Sequence, residues 1–178
     1  MATNIALVRG VNVGGKSSLP MDDLRALVVD AGLADARTLL ASGNVVFDGG
    51  RRGSRTIERR LEAVAARRYS RPMTFFVRTA KEWAAVVANN PFPKEAEADP
   101  SHLVVIFLKE PPAAASVVGL QKAIRGRERV CCVGRELYAV YPDGIGTSKL
   151  TNTVIDKALG TTGTARNWNT VLKLAAMT

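Results

Sequence analysis

The stretch Thr38-Leu39-Leu40-Ala41-Ser42-Gly43-Asn44-Val45-Val46-Phe47-Asp48 decides the fold. Two short apolar runs, 38–41 and 44–48, flank Ser42-Gly43-Asn44, a turn composition, and read as two strands of a hairpin. A hairpin here departs from the strict strand–helix alternation that builds a parallel sheet. Working outward, residues 5–11 are a strand that runs into the glycine-rich segment Gly10-Val11-Asn12-Val13-Gly14-Gly15-Lys16. Pro20 opens a helix, a position where its missing N–H does no harm. Met21, Leu24, Val28 and Ala31 follow at helical spacing, and Gly32 is the terminator. Ser54 is placed to cap a second helix with the apolar stripe Ile57, Leu61, Val64 and Ala65, and 73–79 is a closing strand. The order is β-α-β-β-α-β.

A short helix at 83–88 precedes a stretch with three prolines and an acidic patch, which makes 91–101 the linker between units 1–90 and 102–178. The order then starts again. Strands are expected at 102–108, 129–133 and 137–141, with a turn near Gly134, and a helix carries Val117, Leu120 and Ile124. Ser148 is placed as the cap of a helix bearing Leu150, Val154, Ala158 and Leu159, which stops at Gly160. A weak edge strand at 161–166 and a C-terminal helix with Trp168, Val171, Leu172 and Ala175 complete the chain. The expected fold class is therefore α+β, a tandem pair of ferredoxin-like units with antiparallel sheets and a C-terminal helix.

Composition narrows the chemistry. The chain has 178 residues, 47% of them hydrophobic and 23% charged, which is globular rather than disordered. No run of about 18 apolar residues exists to span a membrane, and residues 1–10 lack a signal-peptide core, so the expectation is a cytoplasmic protein without membrane contact. One histidine, His102, leaves no room for a multi-histidine metal site. Cys131 and Cys132 are adjacent, which favours reduced thiols over a strained ring, and no metal or cofactor is expected. No nucleophile–base pair is visible, so catalytic residues are not assigned.

Three loops carry polar chemistry. Gly10-x-x-x-x-Gly15-Lys16-Ser17 satisfies the Walker A pattern between a strand and a helix, with Asp48 as a weak Walker B carboxylate, and a P-loop nucleotide-binding enzyme is one alternative reading. Against it, a P-loop helix would start at the Gly-Lys-Ser itself and bury Pro20 a turn inside, at a cost of about 3 kcal/mol. The second loop, Gly144-Ile145-Gly146-Thr147-Ser148-Lys149-Leu150, brings a lysine to a helix start. The third, Thr164-Ala165-Arg166-Asn167-Trp168-Asn169, combines a guanidinium, two amides and an indole; its simpler reading has Asn167 capping the last helix and Trp168 anchoring it.

The net charge of +9 is concentrated. Eight arginines and two glutamates place +6 within the 21 residues of 51–71. Arg55, Arg59, Arg60 and Arg67 fall outside the apolar stripe of their helix, where they could grip a nucleic-acid backbone. With 17 Arg against 8 Lys and only 6% aromatic residues, the sequence favours a solvated arginine face over that alternative.

Several segments in order resemble one family: Arg9-Gly-Val-Asn-Val-Gly-Gly-Lys16 with Pro20-Met21, Ser42-Gly43-Asn44-Val-Val-Phe47, Asn90-Pro91-Phe92, Arg135-Glu136-Leu-Tyr138 with Tyr141-Pro142, Gly146-Thr-Ser148-Lys149-Leu150, and Arg166-Asn167-Trp168-Asn169-Thr170-Val171. Together they are similar to the bacterial domain-of-unknown-function family numbered 1697. The resemblance runs nearly end to end and implies a tandem ferredoxin-like fold, while supplying no activity, substrate or cofactor. It also implies that the Walker match at Ser17 is accidental, and it does not include 51–71. The expectation for function is a pocket for an anionic or phosphorylated small ligand. It would unite Arg9, Asn12, Lys16, Ser42, Asn44, Ser148, Lys149, Arg166 and Asn167 through packing of the two units.

Overall fold

The computed structural model describes residues 2–12, 18–69 and 71–178. The chain divides into two units, Met1–Ala85 together with Leu174–Thr178, and Val86–Lys173. The first unit holds β1 (Thr3–Val8), α1 (Met21–Asp30), β2 (Ala34–Leu39), β3 (Asn44–Asp48), α2 (Ser54–Tyr69) and β4 (Phe75–Thr79). Helices α3 (Ala80–Ala88) and α4 (Pro93–Ala98) follow. The second repeats the pattern with β5 (Leu103–Leu108), α5 (Ala114–Ala123), β6 (Arg129–Val133), β7 (Glu136–Val140), α6 (Asn152–Leu159) and β8 (Gly163–Asn167), before α7 (Trp168–Ala175). The fold is α+β. Each unit has one four-stranded sheet, in the orders β2-β3-β1-β4 and β6-β7-β5-β8, and every neighbouring pair is antiparallel.

The boundaries follow from local chemistry. Helix α1 begins directly after Pro20 and ends before Gly32, whose φ of 66° suits a residue without a Cβ. Strand β1 stops at Val8 rather than at residue 11, because Gly10 (φ 65°) and Asn12 (φ 57°) leave the extended region. Strand β2 runs over Ala34–Leu39 instead of 38–41: Leu40 has φ 58°, and the register shifts between Ala34 and Arg37. Its exposed, weakly apolar sequence hid the early part from pattern reading. Two expected caps are corrected. Ser54 is the first residue of α2 and donates to Glu82 Oε1 at 3.3 Å, while Thr151, not Ser148, caps α6 by accepting from Val154 N at 3.4 Å. Gly160 ends α6 with φ 66°, as its position suggests. The proline-rich stretch 91–101 contains α4, with proline in its first turn, and Arg129 stacks 5.3 Å from the Phe92 ring while pairing with Glu95.

Each unit packs two helices on one sheet face. In the first, Leu24, Leu27 and Val28 of α1 and Ile57, Leu61, Val64 and Ala65 of α2 meet Ala6, Val8, Val45, Phe47, Phe75 and Val77. In the second, Leu120, Ile155 and Leu159 cover Val104, Ile106, Leu108, Leu137 and Ala139. The alternate side chains, such as Ile5, Leu7, Val46 and Phe76, or Leu103, Val105 and Phe107, are buried as well. That is why β5 reads as an unbroken apolar run instead of alternating.

The edge strand β4 is closed by carboxylates rather than by another strand. Phe75 N donates to Glu62 Oε1 at 3.0 Å, Val77 N to Glu58 Oε1 at 2.8 Å and Thr79 N to Glu82 Oε2 at 2.7 Å. Glu58 and Glu62 are the two acids of the arginine-rich segment, and both are spent on this edge. At the matching edge of the second unit, Gly163 N donates to Asp156 Oδ1 at 3.0 Å.

Candidate functional site

In the first unit the polar residues of the opening loop and the β2–β3 hairpin pack at one end of the sheet. The Asn12 carboxamide is fully engaged: Oδ1 accepts from Leu19 N at 2.8 Å, and Nδ2 donates to Leu19 O at 2.8 Å and Ala41 O at 2.6 Å. It ties residues 12 and 19 to the hairpin. Asn44, fully buried, donates to Leu39 O at 2.8 Å and Ser42 Oγ at 2.9 Å and so holds the hairpin turn. Gly43 (φ 79°) lies so close to β1 that a Cβ would stand 2.6 Å from Val11 Cγ2 and 3.1 Å from Val8 Cβ. Four positive-φ residues, Gly10, Asn12, Leu40 and Gly43, therefore cluster here, two of them not glycine. Strain of this kind, on the order of 1 kcal/mol per residue, persists only where packing over-determines it. Arg9 is half-buried beside this cluster, and its amide donates to Thr74 O at 3.1 Å. Lys16 and Ser17 lie outside the described residues.

The second glycine-rich loop lines a cleft of about 330 Å³. Leu120, Ile124, Leu150 and Val154 make its apolar floor, while Arg125, Glu128, Asp143, Thr147, Ser148 and Lys149 supply the polar wall. Two of the nine candidate residues, Ser148 and Lys149, thus share one concave surface. Their loop is internally braced. Ser148 Oγ accepts from Leu150 N at 3.0 Å and donates to Glu128 Oε1, and Thr147 Oγ1 donates to Asp143 O at 2.9 Å. Gly126 makes room for this: a Cβ there would collide with the Glu128 carboxylate. The two carboxylates on the wall are engaged. Arg127 binds Asp143 through two nitrogens, and this holds the Asp143 carboxyl below its ordinary range. Arg125 and Lys149, both exposed, have no carboxylate partner among the described residues. The cleft therefore offers two cations over an apolar floor.

Arg166 and Asn167 stand elsewhere, on β8, and do not line this cleft. Arg166 is buried, its NH1 donating to Thr164 Oγ1 at 3.0 Å and Ala165 O at 2.8 Å, and burial pushes its guanidinium down to about 10. Asn167 Oδ1 accepts from Thr170 N at 2.9 Å at the start of α7, and Trp168 is buried. Arg125, Glu128 and Asp143 were not singled out from sequence; the run Arg125-Gly126-Arg127-Glu128 between α5 and β6 was the available signal. The Walker setting is also different from a P-loop. Both sheets are antiparallel, α1 starts at Met21, and Asp48 Oδ1 is taken up by Ala2 N at 2.8 Å and Gly50 N at 2.9 Å.

Among protein families, the model described as Protein of unknown function (DUF1697) matches residues 1–138. The chain belongs to this family. The matched span takes in the strained end of the first unit and, in the second, Arg125 and Glu128 of the cleft wall. Among solved structures, this DUF1697 chain is similar to conserved bacterial protein SP0830 from Streptococcus pneumoniae, at 21% identity and a TM-score of 0.78, over 99% of this chain and 98% of that one. At that identity the likeness concerns the fold. No curated protein matches the chain. No helix among the described residues is long and apolar enough to cross a membrane.

Proposed function

We propose that this DUF1697 protein binds a small ligand with an anionic group, phosphate or carboxylate, and an apolar body. The observation that carries the reading is the cleft in which Arg125 and Lys149, without a carboxylate partner among the described residues, lie beside Leu120, Ile124, Leu150 and Val154. An apolar lining with a few converging polar groups is the usual form of a small-molecule site, and exposed cations at its rim select for anions. Ser148 and Thr147 add hydroxyls on the same wall. In the first unit, Asn12, Ser42 and Asn44 shape the loop. Arg166 and Asn167 act as supports of β8 and α7. The ferredoxin-like assignment of both units rests on the shared element order and strand order. A cytoplasmic location fits the two free thiols, Cys131 and Cys132.

The test is ligand-observed NMR with paired compounds, each phosphorylated or carboxylated molecule matched to its neutral analogue, with inorganic phosphate as a further probe. The anionic members bind, and Arg125→Ala with Lys149→Ala weakens them by about 10-fold or more, as expected for lost hydrogen bonds to charged groups. Equal binding of neutral and anionic partners, or unchanged binding by the double variant, refutes the reading.

A further inference from the structure

The arginine-rich helix α2 has a structural property that its sequence does not reveal. Arg55, Arg59, Arg60, Arg67 and Arg68 are exposed, while Glu58 is buried and Glu62 half-buried, both turned to the β4 edge. The exposed face of α2 thus carries no acid of its own. Solvated helix faces ordinarily intersperse the two signs, because like charges three or four residues apart repel and opposite ones attract. Part of the positive charge is used internally: Arg60 donates to Ala31 O at the end of α1, and Arg68 pairs with Asp30 at 2.6 Å. Arg59 and Arg67, together with Arg51 and Arg52 just before the helix, have no carboxylate partner among the described residues.

We propose that the exposed face of α2 with Arg51 and Arg52 is a docking surface for the sugar–phosphate backbone of nucleic acid. A polyanion with closely spaced charges, about one per 3.4 Å along a strand, can answer each guanidinium separately on a helix where Arg59 and Arg67 stand about 12 Å apart. Arginine is also the side chain whose planar fork matches phosphate geometry. An anionic lipid surface fits less well: such a helix inserts an apolar face, and the apolar stripe of α2 (Ile57, Leu61, Val64 and Ala65) is already in the core. Few aromatics are present to stack bases, so the contact is to the backbone and independent of sequence. This surface belongs to the first unit and does not rest on the cleft of the second.

The experiment is fluorescence anisotropy of the full chain with a labelled duplex of about 25 base pairs and with its single strand. Four phosphate contacts predict that affinity for the duplex falls roughly 100-fold between about 50 and 200 mM salt. Arg59→Glu with Arg67→Glu weakens binding by at least about 10-fold, and Arg59→Gln with Arg67→Gln does so by less. Lys122→Glu with Lys173→Glu, exposed in the other unit, gives the same change in net charge and alters binding by no more than about 2-fold. Unchanged circular dichroism shows that the variants remain folded. Three results overturn the proposal: no binding at about 50 mM salt, equal weakening by the two charge-reversal pairs, or binding to anionic vesicles without binding to nucleic acid.

Discussion

Replacing Glu58 by alanine tests whether carboxylates hold the open edge of the first sheet. Glu58 Oε1 accepts from Val77 N at 2.8 Å and lies 3.8 Å from Arg78 NH1, with side-chain exposures of 5% for Glu58 and 2% for Arg78. Its removal leaves a buried edge amide without that acceptor, which costs about 1–3 kcal/mol. It also removes a carboxylate from beside a buried guanidinium, and breaking such a pair costs about 3–5 kcal/mol when nothing else compensates. One carboxylate serves both contacts, so the two costs are not additive, and Arg78 keeps its bond to the Val77 carbonyl at 2.9 Å. The expected loss is about 3 kcal/mol, a large part of the total stability of an ordinary domain. Glu58→Gln retains an oxygen acceptor of the same reach and loses only the charge, so it costs about half as much. Urea unfolding measures this in a Trp168→Phe background, where the buried Trp83 is the remaining tryptophan and reports on the first unit. An unchanged m-value shows that the change is in stability rather than in the unfolded ensemble. A loss below about 1 kcal/mol for the alanine variant, or a glutamine variant as damaged as alanine, refutes the hydrogen-bonded edge as the source of the stability.

Further outcomes are expected at the start of α6 and at Cys132. Thr151→Ala removes the hydroxyl that caps α6 and lowers stability by about 1 kcal/mol in the same assay, whereas Ser148→Ala changes ligand binding at the cleft more than it changes α6. Burial pushes the Cys132 thiol up to about 11 from its ordinary 9.0. Between those two values the unfolded chain has lost a proton that the folded chain retains, so stability falls as pH rises through this window and is unaffected by this group below it. Cys132→Ala flattens that part of the pH–stability curve. Alkylation of Cys132, followed by mass spectrometry, is slow near neutral pH and accelerates towards pH 11.

The strands and the other helices were legible in order because helix and strand periodicities and turn residues are local information, whereas the short α4 lay hidden in the proline-rich stretch read as a linker. Pro20 and Gly32 bracket α1, Ser42-Gly43-Asn44 makes the hairpin, and Gly160 ends α6, each through the φ angle or hydrogen bond that its residue type favours or forbids. The same pattern, read twice, implied two similar antiparallel units, and the ordered motifs carried the family. Side-chain partners follow from long-range packing instead. Asn12 reads as a polar loop residue until the hairpin brings Ala41 to it across 29 positions. Ser148 and Thr151 are both acceptable caps by composition, and the backbone path of 143–150 selects Thr151 while Glu128, 20 residues away, takes up Ser148. By spacing alone, Glu58 and Glu62 sit three residues after Arg55 and Arg59, as i,i+3 neighbours. The unpaired amides of β4 draw them inward instead, since a buried N–H without an acceptor costs more than an exposed ion pair returns. That long-range competition turns Glu58 and Glu62 towards β4 and leaves Arg59 and Arg67 exposed on the opposite face, and no local pattern records it.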